Sequence, residues 1–318
     1  SLMRRAIAAT LLLAVAGTAV AQNADAPLKL IVPFTPGTGI DLIARTVGPK
    51  LSERLKRPVV VENRAGASGN IGVSEAVRAP ADGYTVLVHN TVLIQLPAVL
   101  EKPPFDPLKD LSPVVMTLQT NNLFVVPTTS PAKSFKEYLT LAKASPAQYS
   151  FGSYGIGSGA HLHGELLKQQ AGLDIAHVPF MGSAPMVTDL SGGHLPSAFI
   201  DIPSALPNSK AMRPLAVAGP KRIPELPDVP TFTELGYHSF DTVGWHGLFL
   251  PAGTPPAIAQ KLAAEVSSIL RMPDILAKFK TLGVLPGGGT PEEFLQQLKM
   301  DAAIYAKIAK AGNIRVTQ

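Results

Sequence analysis

The chain has 318 residues, of which 46% are hydrophobic and 16% charged, with a formal net charge of +5. This is the composition of a globular protein with room for two domains, and it excludes a disordered or coiled-coil chain. The chain contains no cysteine, which rules out thiol catalysis and Cys-zinc sites.

The first element is a leader. Ser1 and Leu2 read as a cloning scar ahead of Met3, Arg4 and Arg5 form a basic region, and Ala6 to Ala16 is an apolar run. Ala19-Val20-Ala21 completes the pattern as an A-x-A cleavage site. Residues 1–21 are therefore expected to be a cleavable signal peptide, with a periplasmic mature protein starting near Gln22. The apolar run is too short to span a membrane. Without Arg4 and Arg5 the basic residues fall from 28 to 26 against 23 acids, a net +3. No basic run interleaved with aromatics appears, so nucleic acid is not an expected partner.

Strand-like and helical patterns then alternate. Residues 28–34 read as a strand, and Ile40, Ile43, Val47, Leu51 and Leu55 follow on one helix face. Residues 58–63 and 84–90 read as strands around a helix at 70–79. This β-α-β order predicts a parallel sheet with helices on both faces. The pattern restarts after residues 121–134. A helix is predicted at 134–145, a strand at 148–155, a helix at 160–172 and a strand at 174–180. A short helix at 184–193 and strands at 195–201 and 212–219 follow, and then a Pro-rich stretch, 220–237, crosses the surface. Helices are predicted at 255–271, 273–282 and 291–311, the last opening on Thr290-Pro291-Glu292-Glu293 with capping-box character. Connecting strands at about 119–127 and 241–250 imply two α/β units with a cleft between them and a hinge beneath, a usual home for a small ligand. The expected division is 22–122 with 243–318, and 123–242.

Four strand-to-helix loops stand out: Pro33–Asp41, Glu62–Gly72, Gly152–Glu165 and Pro179–Pro185. Each is rich in Gly, Ala and Ser and opens a helix whose first N–H groups lack partners and carry partial positive charge. Glycine lets the main chain approach closely, and Ser158 or Ser183 can add a hydroxyl. Such loops suit a carboxylate, and two facing ones a dicarboxylate. For any single loop, plain turn chemistry is a sufficient reading; four together point to a ligand site. Asp41 is the one acid in the first loop, with local amides or Arg45 as its ordinary partners. Trp245, the single tryptophan, is either a wall of the cleft or core. His246 beside it can donate to a ligand oxygen, and strand alternation leaves only one of the two facing the pocket.

Other chemistries are weaker. Gly155–Ala160 fits G-x-G-x-x-A with Asp174 downstream, a dinucleotide pattern that Gly-rich sequences also produce by chance. His161, His163 and Glu165 resemble a metal cluster, but on a helix only His161 and Glu165 share a face, so a capping or core histidine is the better reading. No G-x-S-x-G, Walker A loop or H-E-x-x-H occurs. The expectation is a protein with no catalytic residues, metal or cofactor; the alternatives are an exported enzyme or nucleotide binder using Gly155–Ala160, and an orphan sensor subunit.

The stretches IVPFTPGTGIDLIAR, RPVVVENRAGASGNIG, ADGYTVLV, GIGSGAHLHGELLK, HVPFMGSAPMVTDLSGGHLPSAFID, LAVAGPKRIPELPDVPTFTELG and GWHGLFLPAGTPP, in this order, resemble the Bug-type periplasmic solute-binding proteins of tripartite tricarboxylate transporters. The resemblance covers nearly the whole mature chain. It implies an α/β, two-domain, type II Venus-flytrap fold with a mainly parallel or mixed sheet in each domain and a hinge of crossing strands. It also implies capture of a small organic carboxylate or dicarboxylate through backbone amides and waters, and delivery to membrane permease subunits. The residues it implies in the site are Phe34, Gly37, Thr38, Gly39 and Asp41 from the first loop, and Ala65, Gly66, Ala67 and Ser68 from the second. From the other domain it implies Ser153, Gly157, Ser158 and His161, then Gly182, Ser183 and Asp201. The chain departs from the family's P-G-G loop, with Thr38 in place of the second glycine and Ile40 in place of a threonine. Tyr154 and Ile156 are bulkier than the family pattern, and His246 stands where an aromatic is common. These changes bear on which ligand is held more than on the fold.

Overall fold

The computed structural model describes residues 26–317; the expected signal peptide lies outside them. The chain opens with β1 (Leu28–Val32), α1 (Gly39–Leu55), β2 (Val59–Asn63), α2 (Asn70–Arg78) and β3 (Thr85–Asn90). The predicted helix face of α1 is buried at Ile40, Ile43, Val47 and Leu51, and Lys56 in the left-handed region ends it. Two helices absent from the sequence reading follow, α3 (Val92–Val99) and α4 (Pro107–Asp110). Next come β4 (Leu111–Thr120) and β5 (Asn122–Pro127).

The expected single crossing strand at 119–127 is thus two strands in different sheets, with Asn121 alone between them. A second unit follows: α5 (Phe135–Ala144), β6 (Ser150–Ser153), α6 (Gly159–Ala171), β7 (Ala176–Pro179), α7 (Ser183–Ser191), β8 (Ala198–Asp201), α8 (Ile202–Ala205) and β9 (Met212–Ala218). The chain returns through β10 (Gly244–Pro251), then α9 (Pro256–Ile269), α10 (Pro273–Thr281), β11 (Leu285–Pro286) and α11 (Pro291–Ala311). The Thr290 capping box with Glu293 is formed at the start of α11.

Two sheets result, ordered β11-β4-β10-β3-β1-β2 and β7-β6-β8-β5-β9. They are mixed rather than parallel. β2-β1-β3 and β7-β6-β8 are parallel, as the β-α-β pattern requires, but β10 runs antiparallel to β3 and β4, and β5 antiparallel to β8 and β9. The reversals come from the strands that carry the chain between sheets, which join neighbours without a crossover helix.

The sheets bury separate aromatic clusters. Trp245, Phe249 and Phe294 pack under the six-stranded sheet, while Phe124, Phe135, Phe199 and Phe232 pack under the five-stranded one. Phe232 also corrects the surface reading of 220–237. The stretch is pinned by a bridge between Val217 and Thr231, and the fully buried Phe232 stacks on Phe240. Among the described residues, no helix is long and apolar enough to cross a membrane.

Candidate functional site

Each of the four loops leaves the C-terminal end of a parallel strand, where α/β sheets place their ligands. In the first, Thr38 is the N-cap of α1; its Oγ1 accepts the Asp41 amide at 3.4 Å and donates to Thr35 O at 3.0 Å. Gly37 has φ +83°, a left-handed conformation that only glycine adopts without cost, and its N–H donates to Asp41 Oδ2 at 2.9 Å. Asp41 also accepts from Arg45 Nε at 3.0 Å and Asn63 Nδ2 at 2.9 Å, and is buried. Its carboxylate therefore anchors the loop from behind.

The second loop is strained. Gly66, Ala67, Ser68 and Gly69 all have positive φ, at 128°, 48°, 53° and 93°. A non-glycine residue in the left-handed region costs about 1–2 kcal/mol, and such residues gather at ligand clamps and switches. Helix α2, which follows, has Gly69 as its N-cap residue, which offers no capping side chain. Ala65 opens this loop.

In the third loop Ser158 caps α6, accepting the His161 amide at 3.2 Å and donating to Gly155 O at 2.6 Å. The Gly157 N–H donates to His161 Nδ1 at 3.0 Å. The His161 ring stacks on His177 at 4.0 Å, and its Nε2 is 3.7 Å from Glu165 Oε1. Ser153 Oγ lies 2.7 Å from His177 Nε2. These side chains order the loop among themselves. In the fourth loop Gly182, at φ +111°, precedes α7, whose first amides also lack a side-chain cap.

The four loops meet pairwise across the cleft. Thr35 Oγ1 donates to Met181 O at 3.0 Å, and the Gly39 N–H donates to Ser204 Oγ at 2.8 Å. A β-carbon added to Gly182 would lie 2.8 Å from Thr38 Cγ2, and one on Gly155 would lie 3.3 Å from Ser68 Oγ. Gly39 packs directly on Asp201. Asp201 in turn accepts hydrogen bonds from Ser183 Oγ and, at 2.7 Å, from Ser204 Oγ. The two halves are closed on each other.

Behind this seam lie two small voids. One, of about 30 Å³, is bordered by Gln95, Asn121, Asn122, Tyr154, Asp201 and His246, with Trp245 and Tyr305 beside them. The other, of about 10 Å³, is bordered by Phe34, Thr38, Gly39, Gly182, Ser183 and Asp201, again with His246. Spaces of this size admit a water or two but no carboxylic acid, so a ligand requires the halves to part. Neither void is bordered by lysine or arginine. Gln95 Oε1, Asn121 Oδ1 and His246 Nδ1 are buried without a partner, and all three residues border the larger void.

Burial sets the protonation here. It pushes the Asp201 carboxyl up, against the two serine hydroxyls that favour the anion. It pushes the Tyr154 phenol up and Tyr305 to about 12, and it holds His246 down at about 3 and His163 at about 4, so both imidazoles are neutral. Trp245 and His246 both border the larger void, although only one of them was expected to; the Trp245 indole N–H donates to Asp301 Oδ2 at 2.7 Å.

The structure therefore sorts the predicted residues by place. Phe34, Thr38, Gly39, Gly182, Ser183 and Asp201 border the smaller void. Gly37, Asp41, Ala65, Gly66, Ala67 and Ser68 lie in the facing loops without bordering either one, as do Ser153, Gly157, Ser158 and His161. Gln95, Asn121, Asn122, Ser204 and Tyr305 were not singled out by the sequence. The adjacent Asn121 and Asn122 at the crossing were the available signal, two amides entering a buried strand.

Asp174 lies ahead of β7, whereas the Gly155–Ala160 loop follows the parallel β6, so the two sit at opposite ends of the sheet. The acid is not placed for the ribose of a dinucleotide held by that loop. No group of three or more His, Asp or Glu side chains among the described residues converges as a metal site.

Residues 43–310 match the family described as tripartite tricarboxylate transporter family receptor. The chain is 35% identical to a UPF0065 protein in the tcbD-tcbE intergenic region of Pseudomonas sp. strain P51, over 99% of this chain and 96% of that protein. It is 33% identical to Protein BugT of Bordetella pertussis, over 88% and 89% of the two. Among solved structures, a periplasmic transporter superposes with TM-score 0.87 at 39% identity, covering 91% of this chain and 98% of that one. An R. palustris protein with adipate superposes with TM-score 0.86 at 33% identity, over 91% and 98% of the chains. MatC from Rhodopseudomonas palustris with bound malate gives TM-score 0.84 at 27% identity, over 89% and 98%.

Proposed function

Because this chain belongs to the tripartite tricarboxylate transporter receptor family and has its two-domain periplasmic-binding-protein fold, we propose that it captures a small organic carboxylate between its lobes and hands it to the membrane subunits of such a transporter. The protein works in the periplasm, exported by the leader at residues 1–21. One lobe is residues 22–122 with 243–318, the other 123–242.

The observation that carries the reading is the meeting of four glycine-rich loops across a cleft bordered by no lysine or arginine. The ligand carboxylate is held by main-chain amides, chiefly at the starts of α2 and α7, whose N-cap residues are glycines. Relatives holding adipate and malate support the carboxylate. Closure is a population shift: the anion reaches both lobes only in the closed state and so favours it. This reading assigns the chain no chemistry of its own; it binds and releases.

A thermal-shift screen after unfolding and refolding to strip bound ligand tests this. The panel holds mono-, di- and tricarboxylates, aromatic acids, NAD, nucleotides and zinc. A carboxylate at ~100 times its dissociation constant stabilises the fold by about 2.7 kcal/mol. A shift with NAD or zinc alone would transfer the function to the Gly155–Ala160 loop or to His161 and Glu165.

A further inference from the structure

The cleft that receives an anion contains an acid. Asp201 is half-buried at the junction of both lobes, against Gly39 of one and hydrogen-bonded to Ser183 and Ser204 of the other. It borders both voids. A ligand carboxylate placed against it would meet a like charge, which is unfavourable. No cation among the bordering residues offsets this.

The same chamber holds buried polar atoms with nothing to bond. Gln95 and His246 are each at least nine-tenths buried, and Gln95 Oε1 and His246 Nδ1 have no partner. Asn121 Oδ1 beside them has none either. Leaving such groups unpaired costs free energy, so they mark where a ligand or its waters complete the bonding. Each Asp201 oxygen takes one hydroxyl from a serine, and the Asp201 and Ser204 amides also bond this carboxylate. The neighbouring start of α7, at Ser183 and Ala184, offers the amides a carboxylate needs. A carboxylate site and an acceptor site thus lie side by side.

Building on the carboxylate-receptor reading, we propose that the ligand carries a hydrogen-bond donor, a hydroxyl or an ammonium, on the carbon next to a carboxylate, and that Asp201 accepts it. The carboxylate sits on the α7 amides while the donor turns toward Asp201, and the rest of the molecule extends toward Gln95 and His246. Specificity follows from the polar groups left unpaired by an unsubstituted acid. A plain aliphatic diacid satisfies the amides and leaves Asp201 facing methylene groups.

Isothermal titration of the stripped, full-length protein with matched acids tests this. The sets are propionate, lactate and alanine; succinate, malate and aspartate; glutarate, 2-hydroxyglutarate and glutamate; and adipate with its 2-hydroxy and 2-amino forms. At the chain length that binds, the hydroxy or amino acid is expected to bind at least about tenfold more tightly than the unsubstituted acid, and the stronger of the two identifies the donor. In Asp201→Asn, which retains the shape but accepts less strongly, that ratio falls to within a few fold. The wild-type ratio decides even if this variant fails to fold, and Gln95→Leu, at the far end of the ligand, is expected to leave the ratio unchanged. Equal or tighter binding of the unsubstituted acid, or an unchanged ratio in a folded Asp201→Asn, overturns the proposal and leaves the receptor reading standing. Binding by none of these acids overturns this inference, and the receptor reading is then decided by the thermal-shift screen with its aromatic and tricarboxylic acids.

Discussion

The Gly39 amide donates a 2.8 Å hydrogen bond to Ser204 Oγ, a residue 165 positions away on the facing lobe. A β-carbon at Gly39 would collide with Asp201 and lie 2.9 Å from Pro203 Cγ. Gly39→Ala should therefore fold but fail to close. Its ligand affinity should drop at least about tenfold, the equivalent of 1.4 kcal/mol. Small-angle scattering should show an open particle with saturating ligand; a closed particle with full affinity would refute the seam.

A charge at Gly37 should compete with the ligand itself. A β-carbon there would sit 3.8 Å from Ala184 Cβ, at the start of α7. Aspartate tolerates the left-handed backbone better than most residues, so Gly37→Asp should remain folded. Calorimetry should find carboxylate binding abolished, and retained affinity would move the anion elsewhere.

Asp41 is a test of support from behind the site. It holds Gly37 N–H, Arg45 Nε and Asn63 Nδ2 together. Asp41→Ala removes the partner of the Gly37 N–H and one partner each from Arg45 and Asn63, which keeps its bond to Phe34 O, and the expected loss is about 1–3 kcal/mol in urea denaturation. Wild-type stability would mean that the network is ornamental.

Stability should fall in mild acid. Burial lowers His89 and His163 to about 4, and His177 and His246 to about 3. Unfolding returns each to about 6.5, so the unfolded state binds more protons in between. Their contribution is complete above the unfolded value and is lost as pH falls toward the folded ones. Asp201 and Asp301, raised by burial, act oppositely: the native state holds their protons to higher pH, so their contribution falls as pH rises above the unfolded value. Four histidines outweigh two acids, so urea midpoints should decline from about pH 7.5 through 6 to 5; a flat series would contradict this.

Trp245 offers an optical readout. It is the only tryptophan, is fully buried, and its indole N–H donates to Asp301, which also accepts from Gln297 at 2.9 Å. Asp301→Ala should cost about 1–3 kcal/mol by orphaning the buried N–H. The emission maximum should shift with it, and an unchanged spectrum and midpoint would show that the contact contributes little.

What the sequence disclosed followed local rules. The three-to-four-residue period of α1, the capping box at Thr290 and the Gly-rich exits from β1 and β6 are all written within a dozen residues. The rest is long-range. Helix α3 escaped notice because Val92–Val99 is almost wholly apolar and contains Pro97, which leaves no amphipathic period to read. Gln95 and Tyr305 border one void from distant helices, and no local pattern announces that. The break at Asn121 carries no Gly or Pro signal, because a single residue separates the two strands.

That break has an architectural consequence. Thr120 and Gly244 lie opposite each other as antiparallel partners in one sheet, and Asn122 and Ala218 do so in the other. Everything between Thr120 and Gly244 thus enters and leaves through a single doorway. A short hairpin turn could reseal the six-stranded half if the other were excised. The five-stranded half is thus one continuous insertion between β4 and β10, and it delivers Ser183, Asp201 and Ser204 to the seam as a block.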